Sequence, residues 1–200
     1  ETEIVKWRMQ YDSLMTIAVA PHQIYGPHDG LFLAKFLETS GNGRLRMFGS
    51  GGWKISVCYV DNYAHGLMCG ADALYKDSPA LAQFYIVTDD GPPVNLWKII
   101  NEAGMYMGFV DLNAKFRLPV WFMYVIATIA NIIGYFTNRK FKLNYFSLRM
   151  ITMHRYFDIS RAKRDLKYEP VQSFDTAWPR TLEWFKDNWL PKFLADKKRD

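Results

Sequence analysis

Cysteine is scarce in this sequence: only Cys58 and Cys69 occur, ten residues lie between them, and neither belongs to a Cys-x-x-Cys pair. That excludes a disulfide framework and a cysteine-built zinc site, and it favours a reducing compartment. The four histidines, His22, His28, His65 and His154, share no spacing that gathers ligands on one face, so no bound metal is expected. A Gly-x-Ser-x-Gly elbow is missing, which removes the support for a Ser-His-Asp hydrolase. No Gly-x-x-Gly-x-x-Gly turn occurs either, so the 200 residues hold no glycine-rich phosphate cradle. Excess of one charge sign is also small, with 25 basic against 20 acidic residues and a net charge of +5. That is too little and too scattered for a nucleic-acid partner. The excess gathers at Arg139-Lys140-Phe141-Lys142 and from Lys192 to Arg199, where an anionic membrane surface is the better partner. No repeat and no low-complexity segment is present.

Apolar residues, by contrast, are abundant at 50% of the chain, enough to bury a real core in an α/β fold. Ile4–Met9 reads as the tail of a helix. The nearly continuous apolar run from Leu14 to Val19 suits a strand buried on both faces of a parallel sheet. It stops at Pro21, and Tyr25-Gly26-Pro27-His28-Asp29-Gly30 is dense in turn residues. A loop at the carboxyl end of a buried strand is where open α/β sheets place their sites. Leu31–Leu37 has helical spacing, ended by Ser40-Gly41-Asn42-Gly43. Arg44–Phe48 and Ile55–Val60 read as a strand pair around Gly49–Gly52. Asp61–Leu74 follows as a helix capped by Asp61 or Asn62. Phe84–Val87 is a short strand, Asp89–Pro93 a turn, and Val94–Gly108 a helix. Asp158 or Ser160 is placed to cap a short helix ending at Leu166, and Asp175–Leu190 is amphipathic, with Ala177, Leu182, Phe185 and Trp189 at helical spacing. Lys197–Asp200 reads as a solvated tail.

Leu118–Asn138 holds 21 residues without a charge, flanked by Arg117 and Arg139-Lys140. Such a helix is long enough to span a bilayer. Pro119, Thr128 and Asn131 dilute it, so three readings stay open: a helix lying in the membrane interface as part of a lid, a true span, and an ordinary core helix.

Three segments in order carry a resemblance: Ala20-Pro-His-Gln-Ile-Tyr-Gly-Pro-His-Asp29, Tyr59-Val-Asp-Asn-Tyr-Ala-His-Gly66 and Ala162-Lys-Arg-Asp-Leu-Lys-Tyr-Glu-Pro170. The chain resembles the extended short-chain dehydrogenase/reductase superfamily, and within it the 3β-hydroxysteroid dehydrogenase and sterol-4α-carboxylate 3-dehydrogenase branch. The resemblance implies the C-terminal portion of a Rossmann-type doubly wound sheet with a small substrate-binding lid. Residues 1–110 would supply the last strands and helices of the dinucleotide-binding fold, and residues 111–200 the lid with apolar helix 118–138. It further implies that the glycine-rich turn and the catalytic Tyr-x-x-x-Lys pair lie upstream of residue 1, that the chain is a fragment inactive by itself, and that the catalytic residues here are none.

In the family the loop after the sixth strand runs along the nicotinamide ring, so Pro21, His22, Gln23 and Ile24 are the cofactor-binding candidates, toward NAD or NADP. Tyr25, His28, Asp29, Tyr59 and Arg155 are the substrate-binding candidates, toward a sterol-like molecule. A plain Gly-Pro turn remains the alternative for the loop. The implied reaction is oxidation of a sterol 3β-hydroxyl to a ketone, on an endoplasmic reticulum or other organelle membrane, from its cytosolic or reducing side. A homodimer or a larger assembly is compatible with the chain. Three departures stand out: Ala20 where relatives carry Arg before the Pro, Ser56 where they carry Asp, and Lys167 where Gly is usual. The first two support a second reading, an inactive member serving as an accessory subunit of a membrane-bound assembly. A third, a nucleotide-sugar epimerase or reductase, leaves Leu118–Asn138 unexplained.

Overall fold

The computed structural model describes residues 14–137 and 145–199. The helix expected over Ile4–Met9 and the basic cluster Arg139–Lys142 lie outside the described residues. In chain order the elements are β1 (Ala18–Pro21), β2 (Ile24–Tyr25), α1 (Leu33–Gly41), β3 (Lys54–Ile55), β4 (Cys58–Tyr59), α2 (Val60–Asp72), β5 (Phe84–Val87), β6 (Val94–Asn95) and α3 (Leu96–Tyr106). Then follow α4 (Val120–Thr137), α5 (Tyr145–Ile151), α6 (Ser160–Leu166), α7 (Phe174–Trp184), a π-helical turn (Phe185–Trp189) and α8 (Leu190–Lys197).

The chain packs as two compact units, each assembled from separated stretches. The first takes the chain up to Phe32, Ser56–Pro93 and everything from Tyr156 onward. Its centre is a parallel pair, β1 beside β5 in register Ala18 with Phe84 through Pro21 with Val87. A second parallel pair joins β2 to β4, Ile24 with Cys58 and Tyr25 with Tyr59. Pro21 ends β1 because it donates nothing to a ladder. Tyr85, Val87, Cys58, Ala162, Leu166 and Tyr168 close a core over these strands. Helix α2 comes close to the strands through Gly66 and Gly70: a β-carbon at Gly70 would lie 2.8 Å from Val19 Cγ2.

The second unit comprises Leu33–Ile55 and Val94–Arg155. Here β3 pairs antiparallel with β6. Helices α1 and α3 lie against each other, with Leu33, Leu37, Ile99, Ile100 and Ala103 buried. Asn95 caps α3, its side chain accepting from Lys98 N at 2.9 Å.

Two expectations need correcting. Arg44–Phe48 and Ile55–Val60 do not pair: Phe48 bridges Leu118, Lys54–Ile55 pairs with Val94–Asn95, and Cys58–Tyr59 pairs with Ile24–Tyr25. Positive φ at Gly49 and Gly51 turns the chain between these partners instead of closing a hairpin. The start of α2 is not capped by Asp61 or Asn62, because the helix begins at Val60 with Tyr59 at its N-cap and no side-chain cap bond. Asn62 is fully buried and bonded elsewhere.

The uncharged stretch forms α4, long and apolar enough to cross a membrane. Only Met123 and Ala127 of it are buried, in a small cluster with Leu148 of α5. Trp121, Tyr135 and Phe136 are 69%, 84% and 80% exposed, so α4 is not an ordinary core helix within its unit.

Candidate functional site

Beyond the carboxyl end of β1 the chain folds into a tight loop that borders an open cleft of about 610 Å³. The loop owes its shape to unusual backbone angles. Gln23 and His28 take positive φ of 44° and 65°, and Gly26 lies at φ 145°. A β-carbon at Gly26 would meet Val60 Cγ1 at 2.8 Å, so the loop rests directly on the start of α2 and only glycine fits. Residues held in such sparse regions persist when their surroundings over-determine them.

Of the sequence-predicted residues, Pro21, Gln23, Ile24, Tyr25, His28 and Asp29 line this cleft. His22 sets its ring edge against Phe157 at 4.8 Å, and its backbone N–H donates to Val87 O. His28 is exposed and tilts against Trp184, ring centroids 4.5 Å apart. Asp29 Oδ1 accepts from the N–H groups of Leu31 and Phe32, each at 2.9 Å, and so opens the turn into α1. Tyr59 is buried. Burial, then the Asp61 charge, raises the affinity of its phenol for its proton. Arg155 belongs to the second unit, where its N–H donates to Lys54 O and burial lowers its guanidinium pKa.

Pro21, Ile24, Phe32 and Val60 give the cleft an apolar wall, and Gln23 contributes an amide side chain. A flat heteroaromatic ring packs on such a wall, and a carboxamide pairs with such an amide, so the residues fit the nicotinamide end of a dinucleotide.

Behind the loop lies a polar cluster that sequence reasoning missed. Tyr25 is 1% exposed, its ring packed against Tyr59, Phe174 and Trp178. Its hydroxyl donates to Asp89 Oδ2 at 2.7 Å. Asp89 Oδ1 accepts from Tyr59 N–H at 2.6 Å and from Asn62 Nδ2 at 2.7 Å. Asn62 Oδ1 in turn accepts from Val171 and Gln172 N–H at 2.8 and 2.9 Å. Burial raises the Asp89 pKa, opposed by these three donors, and burial together with the nearby carboxylate raises the Tyr25 hydroxyl strongly. Burial likewise keeps the Cys58 thiol protonated. The signal that could have found the cluster is a carboxylate doublet, Asp89-Asp90, one residue after the strand Phe84–Val87, a position read only as a turn.

Ser56 uses its hydroxyl oxygen to accept from Phe157 N–H at 3.1 Å. Lys167 ends α6 in the left-handed region at φ 55° and ψ 30°.

Parallel strands covered by helices, with a loop-built cleft at their carboxyl ends, define the Rossmann class of nucleotide-binding α/β proteins, here its C-terminal portion. Solved structures agree: the chain overlays dTDP-glucose 4,6-dehydratase from Bacillus anthracis, in complex with NAD, at a TM-score of 0.60 with 13% identity, covering 96% of this chain and 51% of that one. The chain belongs to the 3-beta hydroxysteroid dehydrogenase/isomerase family, whose sequence model matches residues 6–120. It is similar to the decarboxylating sterol-4-alpha-carboxylate 3-dehydrogenases of Mus musculus and Homo sapiens. Identity to the first is 24%, over 92% of this chain and 53% of the relative. Identity to the second is 26%, over 87% and 47%. The chain thus spans about half the length of the curated relatives it matches. No Tyr-x-x-x-Lys occurs in its 200 residues.

Proposed function

We propose that the protein containing this chain oxidises the 3β-hydroxyl of a membrane-dissolved sterol to a ketone, with NAD or NADP. The observation that carries this reading is the family match over the segment that builds the Pro21–Asp29 loop and its apolar cleft. NAD(P)+, when bound, supplies the hydride acceptor. Pro21, His22, Gln23 and Ile24 hold the nicotinamide face and keep bulk water from it. His28 and Asp29 border the sterol beside it, with the buried Tyr25 ring supporting the loop from behind; the family resemblance adds Tyr59 and, in the other unit, Arg155 as substrate-binding candidates. The proton of the substrate hydroxyl leaves to a Tyr with a Lys partner, a pair that the 200 residues do not contain at Tyr-x-x-x-Lys spacing. Helix α4 lies in the interface of an organelle membrane, its exposed Trp121, Phe122 and Phe136 among the acyl chains in which such a substrate dissolves.

A second reading is an accessory subunit that has lost catalysis. Ala20 favours it, because it brings no cation to the loop, and so does Ser56, whose hydroxyl is taken up by backbone. One experiment separates the two: the full-length protein in detergent is given NAD+ or NADP+ and a 3β-hydroxysterol, and reduced cofactor is followed by absorbance. Turnover that vanishes when the upstream Tyr becomes Phe supports the dehydrogenase. A folded full-length protein that binds neither cofactor supports the accessory subunit.

A further inference from the structure

Asp89 stands at the carboxyl end of β5, its own N–H donating to Val57 O at 2.9 Å. The residue is 8% exposed, and three donors from two directions converge on its carboxylate. Tyr25, from the middle of the site loop, takes Oδ2 at 2.7 Å. Tyr59 N–H and Asn62 Nδ2, from the start of α2, take Oδ1 at 2.6 and 2.7 Å. Asn62 is 0% exposed and reaches further, donating to Gln172 O at 2.8 Å while accepting from Val171 and Gln172 N–H.

Packing alone does not require this arrangement. The Tyr25 ring already has aromatic neighbours in Tyr59, Phe174 and Trp178, and a phenylalanine would keep them. Burying a carboxylate is costly unless its bonds are made, and such networks give directionality more than net stability. What the bonds add is a fixed rotation for Tyr25, and with it a fixed path for Ile24 and Gly26 on either side. Gly26 leaves the backbone little slack, since even a β-carbon there would run into Val60 at the head of the same helix that Asp89 holds.

We infer that Asp89 is a positioning residue for the cleft: by holding the Tyr25 hydroxyl and the start of α2 on one carboxylate, it sets the Pro21–Asp29 loop and, through Asn62, ties that loop to the Val171–Gln172 turn. The kinetic part of the inference rests on the dehydrogenase reading above, and the structural part does not.

The test uses the full-length protein with Tyr25→Phe, Asp89→Asn and the double variant. Tyr25→Phe keeps the packed ring, so it folds even if Asp89→Asn does not. Hydrogen exchange in residues 22–29 rises about tenfold in Tyr25→Phe, while exchange in α3 of the other unit changes less than about twofold. In protein that turns over a 3β-hydroxysterol, kcat falls about tenfold with little change in KM, because loosening affects alignment more than binding. The double variant is no slower than the slower single variant, since both break one device. Unchanged exchange in residues 22–29, or losses that multiply in the double variant, overturns the inference. A wild-type protein without turnover removes the dehydrogenase reading, and the exchange arm then decides the positioning role alone.

Discussion

Helix α2 offers a substitution whose sign can be reversed by a second change. A β-carbon at Gly70 would lie 2.8 Å from Val19 Cγ2, and one at Gly66 3.2 and 3.3 Å from the Val87 methyls. Replacing Gly70 by Ala sets two effects against each other. Helix propensity favours Ala by up to about 1 kcal/mol, and by less here because α2 ends two residues later at Asp72. Overpacking opposes it by about 1–3 kcal/mol. Val19 is β-branched and so restricted at χ1, and its backbone is held in β1 opposite Tyr85, so the methyl cannot swing away cheaply. The overpacking wins, and Gly70→Ala destabilises by about 1–2 kcal/mol. In a Val19→Ala background the obstructing methyl is gone, and the same substitution stabilises by about 0.5 kcal/mol. Urea unfolding of the four proteins measures the cycle, with an expected coupling of about 2 kcal/mol. Equal destabilisation in both backgrounds, or stabilisation in the wild type, would refute the close contact as the reason for glycine.

Lys167→Gly removes a left-handed lysine: the backbone gains about 1–2 kcal/mol and chain entropy takes back about 0.5–1, leaving a net stabilisation near 0.5–1 kcal/mol. Calorimetry should show a Tm rise of about 1–4 °C. The Tyr85 phenol is pushed up to about 12 from an ordinary value of 10.0, mainly by burial and then by its bond to Asp165. The unfolded chain therefore ionises first: this contribution to stability is intact below about pH 10 and is lost as the pH climbs to about 12. Tyr85→Phe should lessen the fall of the urea midpoint between pH 9 and pH 12, by up to about one proton in the linkage slope. For α4, Trp121→Ser or Phe136→Ser should each weaken co-sedimentation with anionic vesicles about tenfold or more, and unaltered binding would place the membrane contact elsewhere.

The strands at Ala18–Pro21 and Phe84–Val87 and the helices at 33–41, 96–106 and 120–137 were legible because apolar runs, glycine stops and spacing are local signals. Local signals cannot name a partner. Cys58–Tyr59 has the composition of a strand, yet nothing in its residues says that it pairs with Ile24–Tyr25 and not with Arg44–Phe48. For the same reason Asn62 looked like a helix cap, since the carboxylate and the backbone groups it serves lie 27 and 109 residues away or more. The site loop itself was readable from Pro21 to Asp29, because proline, glycine and a strand end coincide there. Its fixing point, Asp89, was hidden as one more polar residue in a turn.

The division of the first unit into three separated stretches has a consequence for how the chain acquires its fold. Its interior contacts are long in sequence: Tyr85 meets Asp165 80 residues on, and Asn62 meets Gln172 110 residues on. High contact order slows folding, because loop closure must precede the contacts that reward it. During synthesis both β1 and β5 emerge before the stretch carrying Tyr168, the residue that packs with Val87 and Cys58 in the finished core. Apolar surface exposed in that interval is prone to aggregate, so yield should depend on translation rate between the codons for Val87 and Tyr168 more than on the stability of the finished protein.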